Sequence, residues 1–202
     1  MNKKFVINIG RQLGSGGRAI AAILAQHYGI TAYDRNLIEL AAKESGFGQE
    51  FFENADEKKW HGFFHAIFSN RSAANAFGGN DSCLSNDALF KVQSDIIRDL
   101  AEKESCIFIG RCADYILRNR EDALHVFIHA GNDQRAARIL KRYGENGKSI
   151  EQRIKEKDSR RRNYYRFHTD REWGVCANYG LALDSGILGE ELCVDLITQA
   201  FK

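Results

Sequence analysis

FVINIGRQLGSGGRAIAAILAQHY, residues 5–28, decides how the chain is read. Residues 5–9 are a near-continuous apolar run of strand length, the pattern of a strand buried on both faces of a parallel sheet. A loop dense in glycine follows. Ile20, Ile23, Leu24 and Tyr28 then recur at helical spacing, so one face of the next helix is apolar, and Gly29 ends it. Strand, glycine loop and helix in that order aim unpaired backbone N–H groups and the positive end of a helix dipole at one point. That point is a favourable place for an anionic phosphate.

The same alternation continues downstream. Residues 30–33 are a short ITAY segment, and Asp34 can cap a helix over residues 35–45. Leu89, Val92, Ile96, Ile97 and Leu100 set a helix over residues 87–103. Residues 106–109 form a second buried strand that ends in Gly110 and Arg111, and residues 112–117 begin another helix. LHVFIHA, residues 124–130, is a third strand. Asn132 is placed to cap the helix carrying Ala136, Ile139, Leu140 and Tyr143, which Gly144 stops. Ser149 and Gln152 make an S-x-x-Q capping box for a long basic helix. A short strand at residues 181–183 and an amphipathic helix at 189–201 close the chain. Residues 47–86 read as helical pieces joined by a loop. Alternating strands and helices imply an α/β fold, a parallel sheet covered by helices on both faces. Ligands of such sheets bind beyond the carboxyl ends of the strands, where residues 10–17, 110–111 and 184–186 converge.

Composition bounds the function. At 202 residues with 44% hydrophobic and 28% charged residues, the chain suits one soluble domain, 1–202. A net charge of +2 argues against nucleic acid as the main partner. The apolar run after the N-terminal lysines is too short for a signal peptide, and nothing approaches the roughly 20 apolar residues of a membrane span. Five cysteines without a C-x-x-C pair read as reduced thiols, so a cytoplasmic protein with no membrane partner is expected. The histidines show no metal-ligand spacing except His61 and His65. That pair lacks a third ligand and reads as part of an aromatic packing helix, so no residue-bound metal site is expected. Oligomeric state stays open.

Two chemistries compete for the glycine loop. Gly14, Gly16 and Ala19 match the G-x-G-x-x-A dinucleotide fingerprint, and Asp34 lies near the position of a ribose-binding acid. A plain connecting turn is the third alternative. Spacing favours a phosphate cradle. Arg11, Gln12 and Leu13 intervene between the strand end and Gly14, giving the wide arc that a P-loop curls around a phosphate.

With Gly110–Arg111 and the basic helix, this loop resembles the cytidylate kinase-like family of nucleoside monophosphate kinases. The likeness lies in IGRQLGSGGR at residues 9–18, YDRNLI at 33–38, IGRCADYIL at 109–117, and Trp173-Gly174 followed by Asn178-Tyr179. It implies a P-loop core with two insertions, an acceptor-binding one at 34–86 and a lid at 144–175. It implies phosphoryl transfer from ATP, with Mg2+, to CMP or a related monophosphate, small-molecule nucleotides being the partners. The chain departs from the pattern at the loop. The P-loop lysine position is read as Gly17 and the magnesium-binding hydroxyl as Ala19.

Cationic replacements are Arg18 and, in the arc, Arg11. An Arg18→Ala variant is expected to lose phosphate affinity and keep its fold. Gly14, Ser15, Gly16 and Gly17 would complete the donor phosphate site. Arg111, at the end of the second strand, is a candidate clamp on the acceptor phosphate, with Asp114, Tyr33 and Asp34 as further acceptor contacts. Residues 153–171 carry eight cations, of which Arg161 first and Arg160 second are expected to reach the transferring group. Consecutive arginines point about 100° apart, so they cannot all face one ligand. The alternative function is a non-catalytic nucleotide- or phosphate-binding protein of the same fold.

Overall fold

β1 (Val6–Arg11) is the central strand, buried from Val6 to Gly10. In the computed structural model, which describes residues 4–34, 86–144 and 149–201, it pairs in parallel with β3 (Cys106–Ile109) on one side and β4 (Ala123–His129) on the other. β2 (Thr31–Tyr33) flanks β3, and β5 (Leu181–Asp184) flanks β4. The sheet order is β2-β3-β1-β4-β5. All four pairings are parallel, as buried apolar strands joined by helical crossovers require.

Strand residues alternate between two cores. Val6, Cys106 and Phe108 face α2 (Asn86–Lys103), α3 (Ala113–Ile116) and α5 (Ile150–Thr169), meeting Ile96, Ile97, Ile116 and Tyr165. Ile7, Ile9, Ile107 and Ile128 face α1 (Gly17–Tyr28) and α6 (Ser185–Gln199), meeting Ile20, Leu24, Cys193 and Ile197. α4 (Asn132–Tyr143) packs on α5 beside the sheet edge. The chain passes from β1 to β2 on one side and from β3 to β4 across β1. The carboxyl end of β1 is therefore the crevice where the strand order reverses.

Local chemistry sets the helix ends. Ser149 caps α5, its Oγ accepting from Gln152 N at 3.2 Å. Asn132 does not cap α4. Gly131 stands at the cap, and Asn132 Oδ1 accepts from Arg135 Nη1 at 3.3 Å inside the helix. The closing helix starts four residues before the expected Gly189. Asp184 Oδ1 caps it through Gly186 N at 2.8 Å, and Gly189, at φ 77°, kinks it before the amphipathic part. Among the described residues, Cys106, Cys112, Cys176 and Cys193 are free thiols. No described helix is long and apolar enough to cross a membrane. The expected helix after Asp34, the aromatic segment with His61 and His65, and all but the ends of the 34–86 insertion lie outside the described residues.

Candidate functional site

The glycine loop leaves β1 and curls back to start α1. Gln12 pins it to β4, its N–H donating to Ile128 O at 3.0 Å. Gly14 and Gly16 take left-handed conformations, φ 76° and 77°. At Gly14 a side chain is excluded twice over, since a Cβ would stand 2.7 Å from Arg135 O. Ser15 is buried and turns inward, Oγ donating to Gln12 O at 3.0 Å, so it faces the loop and not an incoming phosphate. Gly16 is the N-cap of α1 and has no side chain to cap the first-turn N–H groups, and Glu190 Oε1 lies beside it, 2.5 Å from where a Gly16 Cβ would stand. An open helix start of this kind is an anion site. The loop borders a cleft of about 630 Å³ also lined by Arg138, Lys141, Arg142, Tyr143, Arg161 and Glu190.

A buried ion pair holds the loop from the far side. Asp158, on α5, accepts from Leu13 N at 2.9 Å and pairs with the buried Arg135 of α4. Arg135 Nε donates to Leu13 O at 2.7 Å. Both backbone groups of Leu13 are thus tied to the two helices that flank the cleft. Arg138 reaches Ser185 O at 2.9 Å, and Ser185 Oγ donates to Ser15 O at 2.5 Å. None of Asp158, Arg135, Arg138 or Ser185 stands out as functional in the sequence. The available signal is the stripe Ile154, Asp158, Arg161, Tyr165 at spacings of four, three and four, which puts two charges on the packed face of α5.

Four arginines meet beyond the loop. Arg161 Nη1 donates to Arg11 O at 3.0 Å and lies 3.4 Å from Asp158 Oδ1. Desolvation and then the charges of Arg161, Arg111 and Arg18 pull the Arg11 guanidinium well below its usual range, with Asp34 countering. Arg161 is lowered by burial too, against the pull of Asp158. Arg18 is half-exposed and pairs with Asp34 at 3.2 Å. Like charges gathered this closely are relieved by an anion in their midst. Arg160, one step back along α5, is exposed.

Arg111 is aimed by its backbone. Gly110, Arg111 and Cys112 are all left-handed, φ 76°, 64° and 57°. Two successive non-glycine residues in that region store strain, which persists where packing overrules it. Gln93 Nε2 donates to Arg111 O at 3.0 Å, and Arg111 sits over the Tyr164 ring at 4.9 Å. Tyr33 turns away to Glu104, its hydroxyl donating at 2.5 Å. Asp114 is buried, accepting from the Tyr165 hydroxyl at 2.7 Å.

Burial outweighs that hydrogen bond and lifts the Asp114 carboxyl above its ordinary range. The folded state then holds the proton more tightly than the unfolded chain. The stabilisation is complete below the ordinary carboxyl pKa and is lost as pH rises through the folded value. Asp114→Asn keeps an acceptor for Tyr165 and carries no charge. Its melting temperature relative to wild type is expected to rise from about pH 4 to about pH 8. A difference that stays flat across that range refutes the raised pKa.

A family model described as the cytidylate kinase-like family matches residues 6–187. The chain belongs to the cytidylate kinase-like family. Among solved structures, an uncharacterized protein from Eubacterium ventriosum ATCC 27560 is similar at 25% identity, with TM-score 0.72 over 98% of each chain. Shikimate kinase from Bacteroides thetaiotaomicron is similar at 10% identity, TM-score 0.55, over 97% of each chain. TT1252 from Thermus thermophilus is similar at 15% identity, TM-score 0.54, over 98% of this chain and 97% of its own. At those last two identities the likeness is one of fold. The chain matches no curated protein.

The five-stranded parallel sheet of this cytidylate kinase-like chain thus shares its fold with that shikimate kinase. The chain's loop departs from G-x-x-x-x-G-K-[ST]. With Gly16 as the second glycine, the first falls on Arg11, the lysine on Gly17, and the hydroxyl on Arg18 and not Ala19. The donor set fits a polyphosphate: open N–H groups, a cleft beside them, and converging guanidinium groups. It does not fit a protein-ligated magnesium ion. Arginine and alanine follow Gly17, Ser15 is turned inward, and no group of three metal-binding side chains exists among the described residues.

Proposed function

We propose that the chain transfers the γ-phosphoryl group of ATP to CMP or a closely related nucleoside monophosphate. The observation that carries this is the gathering of Arg11, Arg18 and Arg161 on the cleft beside the glycine loop, with the Arg11 side chain reaching Gly110, next to Arg111. The triphosphate would lie along residues 14–18 and the first turn of α1, with Lys141 and Arg142 at the far wall of the cleft. The acceptor phosphate would sit at the end of β3, against Arg111. An acceptor phosphate oxygen attacks the γ-phosphorus, the bond from that phosphorus to the β,γ-bridging oxygen breaks, and ADP leaves with the electron pair of the broken bond on its bridging oxygen. Charge shared among the transferring oxygens is what the arginines neutralise, in a crevice from which water is displaced.

Residues 144–175 act in this scheme as the lid. α5 brings Arg161 to the loop, and Asp158 ties that helix to Leu13. ATP-dependent chemistry of this kind belongs in the cytoplasm, in keeping with the free thiols of the described cysteines. A second reading rests on Gly17 and Arg18: a loop with neither lysine nor hydroxyl in the usual places could bind nucleotide without turning it over. Turnover with ATP and each monophosphate separates the two.

A further inference from the structure

We propose that Arg11 holds the place of the P-loop lysine, through an exchange of the small and the cationic residue between the two ends of the loop. The inference rests on the nucleotide-binding role proposed above and assigns the phosphate-binding cation within it. In the usual motif the strand-end position is glycine and the first helical position is lysine. Here the strand end is Arg11 and the helical position is Gly17.

The two positions share one volume. A Cβ on Gly17 would stand 2.7 Å from Arg11 Cβ and 3.2 Å from Arg11 Cγ. Ile128 Cβ, at 3.4 Å, closes the other side. A long side chain can therefore start from residue 11 or from residue 17, and not from both. Changing one end of the loop forces the other, which explains why a glycine stands where lysine is expected.

From residue 11 the side chain crosses the start of α1 and reaches the end of β3. A Cβ on Gly110 would run into Arg11 Nη1, and Gly110 is left-handed at φ 76°. The guanidinium thus lies between the donor loop and Arg111, the candidate acceptor clamp. Its own carbonyl holds Arg161. Arg18, the cation that follows Gly17 in the chain, is half-exposed and directed at Asp34. Arg11 is the inner cation and Arg18 the outer one. A guanidinium grips phosphate through two parallel N–H bonds, so the exchange also replaces a point charge with a fork.

The test is a swap in the full chain: wild type, R11G, G17K, R11G/G17K and R18A. Melting temperature without nucleotide reads the shared volume. Calorimetry with ATP and with inorganic tripolyphosphate reads the charge. R11G is expected to weaken both ligands about 10- to 100-fold, and R18A less than R11G. G17K melts below wild type, and R11G/G17K melts above G17K and regains most of the lost affinity. The inference is overturned if R11G binds both ligands like wild type, or if R18A loses more than R11G. It is also overturned if the double variant folds yet binds no better than R11G. Should the double variant not fold, the order of R11G and R18A decides. A wild type that binds neither ATP nor tripolyphosphate removes the nucleotide reading itself, an outcome distinct from equal binding by wild type and R11G.

Discussion

Arg161→Ala lowers turnover by about 10³-fold while ATP affinity changes far less. The expectation follows from where the side chain stands. α5 carries Arg161 to the crevice, Asp158 and the Arg11 carbonyl hold it there, and Arg111 and Arg18 are among the charges it feels. A cation already held where the phosphoryl group's charge spreads stabilises the transition state more than the bound ground state. The lower end of the arginine-finger range applies because Arg11 and Arg111 remain. Arg161→Lys restores only part of the rate, since one ammonium cannot bond a carbonyl, a carboxylate and a phosphate with the same geometry. Steady-state kinetics decide the matter. A turnover number in Arg161→Ala equal to wild type removes Arg161 from the chemistry, and a loss confined to KM makes it a binding residue only.

Asp158→Ala destabilises the fold by about 3–5 kcal/mol. Its carboxylate is buried, partners the buried Arg135, and accepts the Leu13 N–H. Truncation leaves Arg135 as an uncompensated buried charge and Leu13 N–H without its acceptor. At about 2–4 °C per kcal/mol for a chain of this size, the melting temperature falls by roughly 10 °C. Arg135→Met in the same background should recover a large part of the loss, because it removes the stranded charge and keeps the volume. A drop below about 1 kcal/mol in Asp158→Ala means that the pair is solvated and does not clamp the loop. ATP affinity should fall along with stability, since Leu13 lies in the arc whose shape presents the N–H groups.

The architecture was legible because both of its signals are local. Residues 6–9, 106–109 and 126–128 are short apolar runs, and a strand covered on both faces shows as such a run wherever it falls. Helix periodicity located α1, α2, α4 and α6 to within a few residues. Caps were less legible. Asn132 has the right chemistry, yet Gly131 takes the cap and Asn132 serves Arg135, because tertiary contacts choose among residues one step apart.

The site was legible in its pieces and not in its wiring. The glycine loop, Arg111 and Arg161 can be singled out from motif order and charge. Which arginine lies innermost depends on how Arg11 and Gly17 compete for one volume, 150 residues from the helix that supplies Arg161. The clamp formed by Asp158 and Arg135 joins residues whose charges look like an ordinary solvated helix face until their place beside Ile154 and Tyr165 is noticed. Asp114 shows the converse. Its motif suggests an open site, and its position against Tyr165 gives it a buried acceptor role.

One measurement bears most directly on the proposed kinase: a coupled assay of the full chain with ATP, Mg2+ and each nucleoside monophosphate in turn. ADP formation that depends on the acceptor, is fastest with CMP or a close relative, and yields the matching diphosphate is the expected result. ATP and CMP binding by calorimetry with no acceptor-dependent ADP would contradict it and leave a nucleotide-binding protein that kept the fold.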